Sequence, residues 1–133
     1  MRATLALAPA FALATVLLLP GCAGMMGGGG PKPYAIFFTE RSSALEPAAV
    51  EVIAAAAAAA KAAPATGVLV LGHTDSTLSK QDDIVLSQQR ARRVSDALVA
   101  DGVDTARITQ RGRGQTGEDP GVESRRVDIS LTN

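Results

Sequence analysis

The chain has no tryptophan, one tyrosine and three phenylalanines among its 133 residues. Any core must therefore be assembled from Ala, Val, Ile and Leu. There is no excess charge of either sign, with thirteen Lys and Arg against thirteen Asp and Glu, so the basic surplus of a nucleic-acid-binding domain is missing. A single cysteine, Cys22, excludes an intramolecular disulfide. With one His besides, His73, the ligand set of a metal centre is lacking, and no cofactor is expected. His73 is also the sole histidine available as a catalytic base, and Ser76, Ser79 and Ser87 have no flanking nucleophile-elbow motif, so the chain is read as a non-enzyme. Gly112-Arg-Gly-Gln-Thr-Gly117 fits Gly-x-Gly-x-x-Gly, but Asp119-Pro120-Gly121 follows where a dinucleotide-binding motif needs a helix.

What is present begins with an export signal over residues 1–21. Arg2 gives a short positive start, and residues 5–19 form an apolar run. That run is shorter than the roughly 20 apolar residues of a comfortable transmembrane helix. It closes on Leu19-Pro20-Gly21-Cys22, which resembles the lipobox of bacterial lipoproteins, with Pro20 an unusual occupant of its slot. The resemblance implies lipidation of Cys22 and removal of residues 1–21. A cysteine carrying several acyl chains anchors firmly, where one chain would not. Ala23 rather than Asp follows, which by analogy with lipoprotein sorting implies the outer membrane, with the domain facing the periplasm. Residues 22–33, with four consecutive glycines and Pro31-Lys32-Pro33, form a tether. Its reach is roughly 35 Å when stretched, so the domain, residues 34–133, works close to its membrane.

Hydrophobic periodicity divides that domain into six elements. A strand is expected over 34–38. A helix should start at Pro47, which the first turn tolerates, and run to about Ala63 before Pro64; Val50, Ile53 and the alanines form its narrow packing face. The apolar run 68–72 reads as a central strand covered on both sides. A second helix is expected over 83–100, ending before Gly102. Strands are expected over 107–111 and 125–131, the latter alternating Val127, Ile129 and Leu131 with Arg126, Asp128 and Ser130. The order βαβαββ predicts an α/β (α+β) two-layer sandwich, a mixed sheet packed on two helices.

Three charges break this pattern. Arg90 falls inside the apolar stripe formed by Leu86, Val94, Ala97 and Leu98. Arg125 is in phase with the apolar side of the last strand, and Asp75 stands just past the end of the central one. A charge on a buried face is costly unless paired or liganded. One carboxylate and two guanidiniums at a strand end suit a zwitterion, with Asp75 on its ammonium and an arginine on its carboxylate. The same three residues also suit an internal salt bridge, and spacing alone leaves both readings open.

Beyond spacing, Gly72-His73-Thr74-Asp75, Leu86-Ser87-x-x-Arg90-Ala91-x-x-Val94, Gly102-Val103-Asp104, Arg107-Ile108, Gly112-x-Gly114 and Arg125-Arg126-Val127 closely resemble the OmpA-like C-terminal domain, the family of the peptidoglycan-associated lipoprotein. The likeness covers about residues 34–131. It implies non-covalent binding of peptidoglycan through the diaminopimelate of the stem peptide, with Asp75, Arg90 and Arg125 as contacts and Thr74, Asp83 and Arg41 beside them. The sequence departs from the family at Arg41, where an Asp or Asn is usual, at Leu78 in place of a glycine, at Asp83 and Ser124, each in place of Asn, and in a short 115–123 loop. These departures motivate one alternative, the same fold docking a protein partner.

Overall fold

The computed structural model of the chain describes residues 32–116 and 121–133. The signal segment 1–21, Cys22, the tether as far as Pro31 and the last glycine of the Gly-x-Gly-x-x-Gly motif lie outside the described residues. The elements are β1 (Tyr34–Phe37), α1 (Pro47–Ala62), β2 (Gly67–Thr74), α2 (Lys80–Ala100), β3 (Ile108–Gln115) and β4 (Arg126–Thr132). One-turn 3-10 helices at Thr105–Arg107 and Val122–Ser124 lead into β3 and β4. The sheet order is β1-β4-β2-β3, with β2 parallel to β3 and antiparallel to β4, and β1 antiparallel to β4. This is the expected two-layer α+β sandwich with a mixed sheet.

The core lies between the sheet and the two helices. Ile36, Val68, Val70, Val127 and Ile129 project from the sheet onto Ile53, Ala56 and Ala60 of α1 and Ala91, Val94 and Leu98 of α2, all buried. The stripe of α1 is Ala49, Ile53, Ala56 and Ala60, spaced by three and four residues. Val50 stands next to that stripe, not in it, and is exposed, contrary to the sequence reading. Past the C-terminus of α1, the Arg107 guanidinium donates to the Ala60 and Ala63 carbonyls at 2.8 Å and to the Thr66 carbonyl at 2.9 Å. The guanidinium thus adds a donor to carbonyls at and just beyond the helix end, where Ala60 and Ala63 also accept from the Ala63 and Thr66 amides.

Further features differ from the sequence expectation: the third strand runs Ile108–Gln115, four residues past its expected end, and the central one Gly67–Thr74, longer at both ends. The first strand ends at Phe37, one residue early. The central strand is covered on one side only: Val68 and Val70 are buried under the helices, whereas Leu69 and Leu71 are half-buried on an uncovered face. Its continuous apolar run imitates a strand buried twice over. The second helix begins at Lys80 instead of residue 83, because Ser79 caps it. Its hydroxyl accepts from the Asp82 amide at 3.2 Å and donates to the Asp82 carboxylate at 2.6 Å. Ser79→Ala should cost about 1 kcal/mol, read as a lower urea midpoint at unchanged slope. A midpoint equal to wild type would show the cap to be idle.

On the uncovered face, Arg126 Nε lies 3.0 and 3.1 Å from the two Asp128 oxygens, and His73 Nε2 lies 3.3 Å from one of them. Burial pushes the Asp128 carboxyl up, but bonding to His73 and Arg126 outweighs it and leaves its pKa below the ordinary value. A depressed carboxyl stabilises the fold above its unfolded pKa, and that contribution is lost as pH falls through the folded one. Between about pH 5 and pH 2 the wild type should therefore lose more stability than Asp128→Asn. Parallel acid profiles would contradict this.

Candidate functional site

The site forms where β2 runs out beneath α2. A Cβ on Gly72 would fall on the Ser87 carbonyl, and one on Gly112 would lie 2.5 Å from the Gln88 amide. Glycine at both positions lets α2 lie directly against the strands. That close approach brings Asp83, Ser87 and Arg90 to the strand end. Ser87 ties the layers, donating to the Ile84 carbonyl at 2.7 Å and accepting from the Gly114 amide at 2.9 Å.

Asp75 follows β2 directly and is only 3% exposed. One carboxylate oxygen lies 3.0 Å from Arg125 Nη1, and the other accepts from the Thr77 hydroxyl at 2.9 Å. Arg125 is not a strand residue, as its phase suggested, but ends the 3-10 turn before β4. There its Nε donates to the Phe38 carbonyl at 3.3 Å, while its own carbonyl accepts from the Phe38 amide at 2.8 Å. The Asp75–Arg125 pair thus joins the ends of β1, β2 and β4.

Arg90 is completely buried. Its guanidinium donates to three backbone carbonyls: Ser42 at 2.7 Å, Thr39 at 3.0 Å and His73 at 3.1 Å. Its carbon lies 5.2 Å from the centroid of the Phe38 ring. Three bonds leave two of the five guanidinium donors. Burial lowers its pKa, Arg125 adds to that, and the nearby Asp75 and Asp83 carboxylates oppose it. An arginine remains a cation throughout the physiological range. Two positive and two negative side chains therefore gather here, close to charge balance.

The remaining candidates divide by exposure. Asp83 is fully buried in the first turns of α2. One of its oxygens accepts from Gln115 Nε2 at 2.6 Å, and the other has no hydrogen-bond partner among the described residues. Thr74 is buried, its hydroxyl 3.5 Å from the Asp83 carbonyl. Arg41 is exposed on the turn whose Thr39 and Ser42 carbonyls Arg90 holds, and its φ of 54° is left-handed. Asn and Asp adopt that region more readily than Arg. Ser124 is buried and accepts from the Thr116 hydroxyl at 2.8 Å. His73 is packed near the end of β2. Sequence reasoning missed Thr77 and Gln115, which fix the two aspartates, and the carbonyls that receive Arg90. Backbone acceptors leave no mark in a sequence.

The OmpA family profile matches residues 37–127, a stretch that contains the whole cluster. The chain belongs to the OmpA family. Among its relatives is "Probable lipoprotein YiaD" of Escherichia coli K12, 36% identical over an alignment of 108 residues that covers 75% of this chain and 49% of YiaD. Another is "Peptidoglycan-binding protein ArfA" of Mycobacterium tuberculosis H37Rv, 40% identical over 86 residues, 65% of this chain and 25% of ArfA. The chain thus spans half or less of these relatives' lengths. The fold matches the peptidoglycan-associated lipoprotein of Burkholderia pseudomallei at a TM-score of 0.69 and 24% identity, covering 74% of this chain and 90% of that one. It also matches the C-terminal domain of Helicobacter pylori MotB at 0.66 and 25% identity, covering 78% and 86%.

Proposed function

We propose that this protein is an outer-membrane lipoprotein whose OmpA-family domain binds peptidoglycan non-covalently through the diaminopimelate of the stem peptide and so ties membrane to wall. The reading is non-enzymatic. The observation that carries it is the Asp75–Arg125 pair at the strand end, with the Arg90 cation buried beside it, on the positions of the family's Thr-Asp, Leu-Ser-x-x-Arg and paired-arginine motifs. The ligand's ammonium exchanges with the Thr77 hydroxyl on Asp75, and its carboxylate meets Arg125 and the field of Arg90. Thr74 and Asp83 hold this arrangement from behind, and Arg41 adds positive charge at the rim. Support also comes from a relative named as peptidoglycan-binding. Pull-down on purified sacculi tests the binding: wild type should sediment with them and be released by free diaminopimelate. Sedimentation that diaminopimelate does not compete away would overturn the ligand assignment.

The anchor is tested separately. Cys22→Ser should leave the precursor unprocessed or release the protein from the membrane fraction. A Cys22→Ser protein cleaved and located like wild type would contradict lipidation.

A further inference from the structure

β3 is an edge strand. One side pairs with β2, and among the described residues no strand lies on the other. Its sequence, Ile-Thr-Gln-Arg-Gly-Arg-Gly-Gln, carries two positive side chains and no negative one. Arg111 and Arg113, two residues apart, both flank a groove of about 560 Å³ on the uncovered sheet face, floored by Leu69 and Leu71. Neither arginine makes an ion pair or side-chain hydrogen bond among the described residues, as with Arg92 and Arg93 on α2, whereas Arg90, Arg107, Arg125 and Arg126 all do.

The spacing defines what fits. Side chains two apart on a strand share a face and stand about 6.6 Å apart. A strand added along β3 would have the same repeat as far as Gly112, after which the pairing with β2 shifts register, so one carboxylate would lie opposite Arg111 and the next on that face near Arg113. A second copy of this chain is a poor occupant, because edge-to-edge pairing of two β3 strands would bring four arginines together on neighbouring strands. The charge that keeps copies apart selects an acidic strand. We infer that the β3 edge is a docking site for an extended segment of a partner protein with Asp or Glu at alternate positions, on the uncovered face that Arg111 and Arg113 share. This site is separate from the Asp75 cluster and does not depend on the peptidoglycan reading.

Fluorescence anisotropy with the full chain in detergent tests this, using a labelled octapeptide that alternates Glu with Val. At low ionic strength it should bind about tenfold more tightly than the Gln–Val peptide. The Arg111→Glu/Arg113→Glu chain should lose the Glu peptide, gain the corresponding Lys–Val peptide, and still sediment with sacculi. A Glu peptide with proline at two positions that must pair with β3 should bind at least tenfold less well, since proline cannot donate to a ladder. Equal binding of the Glu and Gln peptides, or an unchanged affinity after charge reversal, would overturn the site. Full binding of the proline peptide would overturn strand addition. Dimerisation of wild type that blocks the peptide and vanishes in the charge-reversed chain would assign the edge to a second copy instead.

Discussion

Arg90→Ala should unfold at a temperature lower than wild type by on the order of 15 °C or more, corresponding to roughly 3–5 kcal/mol. Removing the guanidinium takes a donor from three buried-side carbonyls, at Thr39, Ser42 and His73, of which Thr39 keeps the Ser42 amide. It also leaves Asp75 and Asp83 buried with less opposing charge, and an uncompensated buried carboxylate is the costlier half of the loss. Arg90→Lys should recover only part of this, because one ammonium on a flexible stem cannot reproduce three bonds set by a planar fork. Thermal unfolding of both variants beside sacculus binding is the check. If Arg90→Ala melts within a few degrees of wild type, the guanidinium is a ligand contact and not a tie between the 39–42 turn and β2.

That result bears on the two readings the sequence left open for the charged trio. Arg90 was conspicuous because a cation interrupts an apolar helix stripe, and it is indeed buried there. Its partners, however, are main-chain carbonyls, two brought in by a loop some fifty positions earlier and one from β2, which no side-chain pattern encodes. The Asp75–Arg125 pair was legible from both sides, since the pattern put Asp75 just past the central strand and Arg125 out of place at the start of the last, although the structure sets Arg125 one residue before that strand. The order of elements was legible because alternation in β4 and the alanine-rich helix differ plainly in period. The uncovered face was not, because Leu69 and Leu71 make β2 look apolar on both sides even though only Val68 and Val70 meet the helices. The start of α2 was misplaced because Ser79-x-x-Asp82, a capping pattern, precedes the first apolar residue by several polar positions.

Asp75 is the residue at which binding and folding separate best, since its partners Arg125 and Thr77 both keep some exposure. Removing its carboxylate leaves Arg125 bonded to the Phe38 carbonyl and able to reach water. Stability should fall far less than in Arg90→Ala. The ligand's ammonium, by contrast, would lose a charged hydrogen-bond acceptor, a contribution of about 1.5–3 kcal/mol. Sacculus affinity of Asp75→Ala, measured at a temperature where the variant is fully folded, should accordingly be ten- to a hundredfold below wild type. A folded Asp75→Ala protein that sediments with sacculi as tightly as wild type would contradict the assignment of this cluster as the wall-binding site.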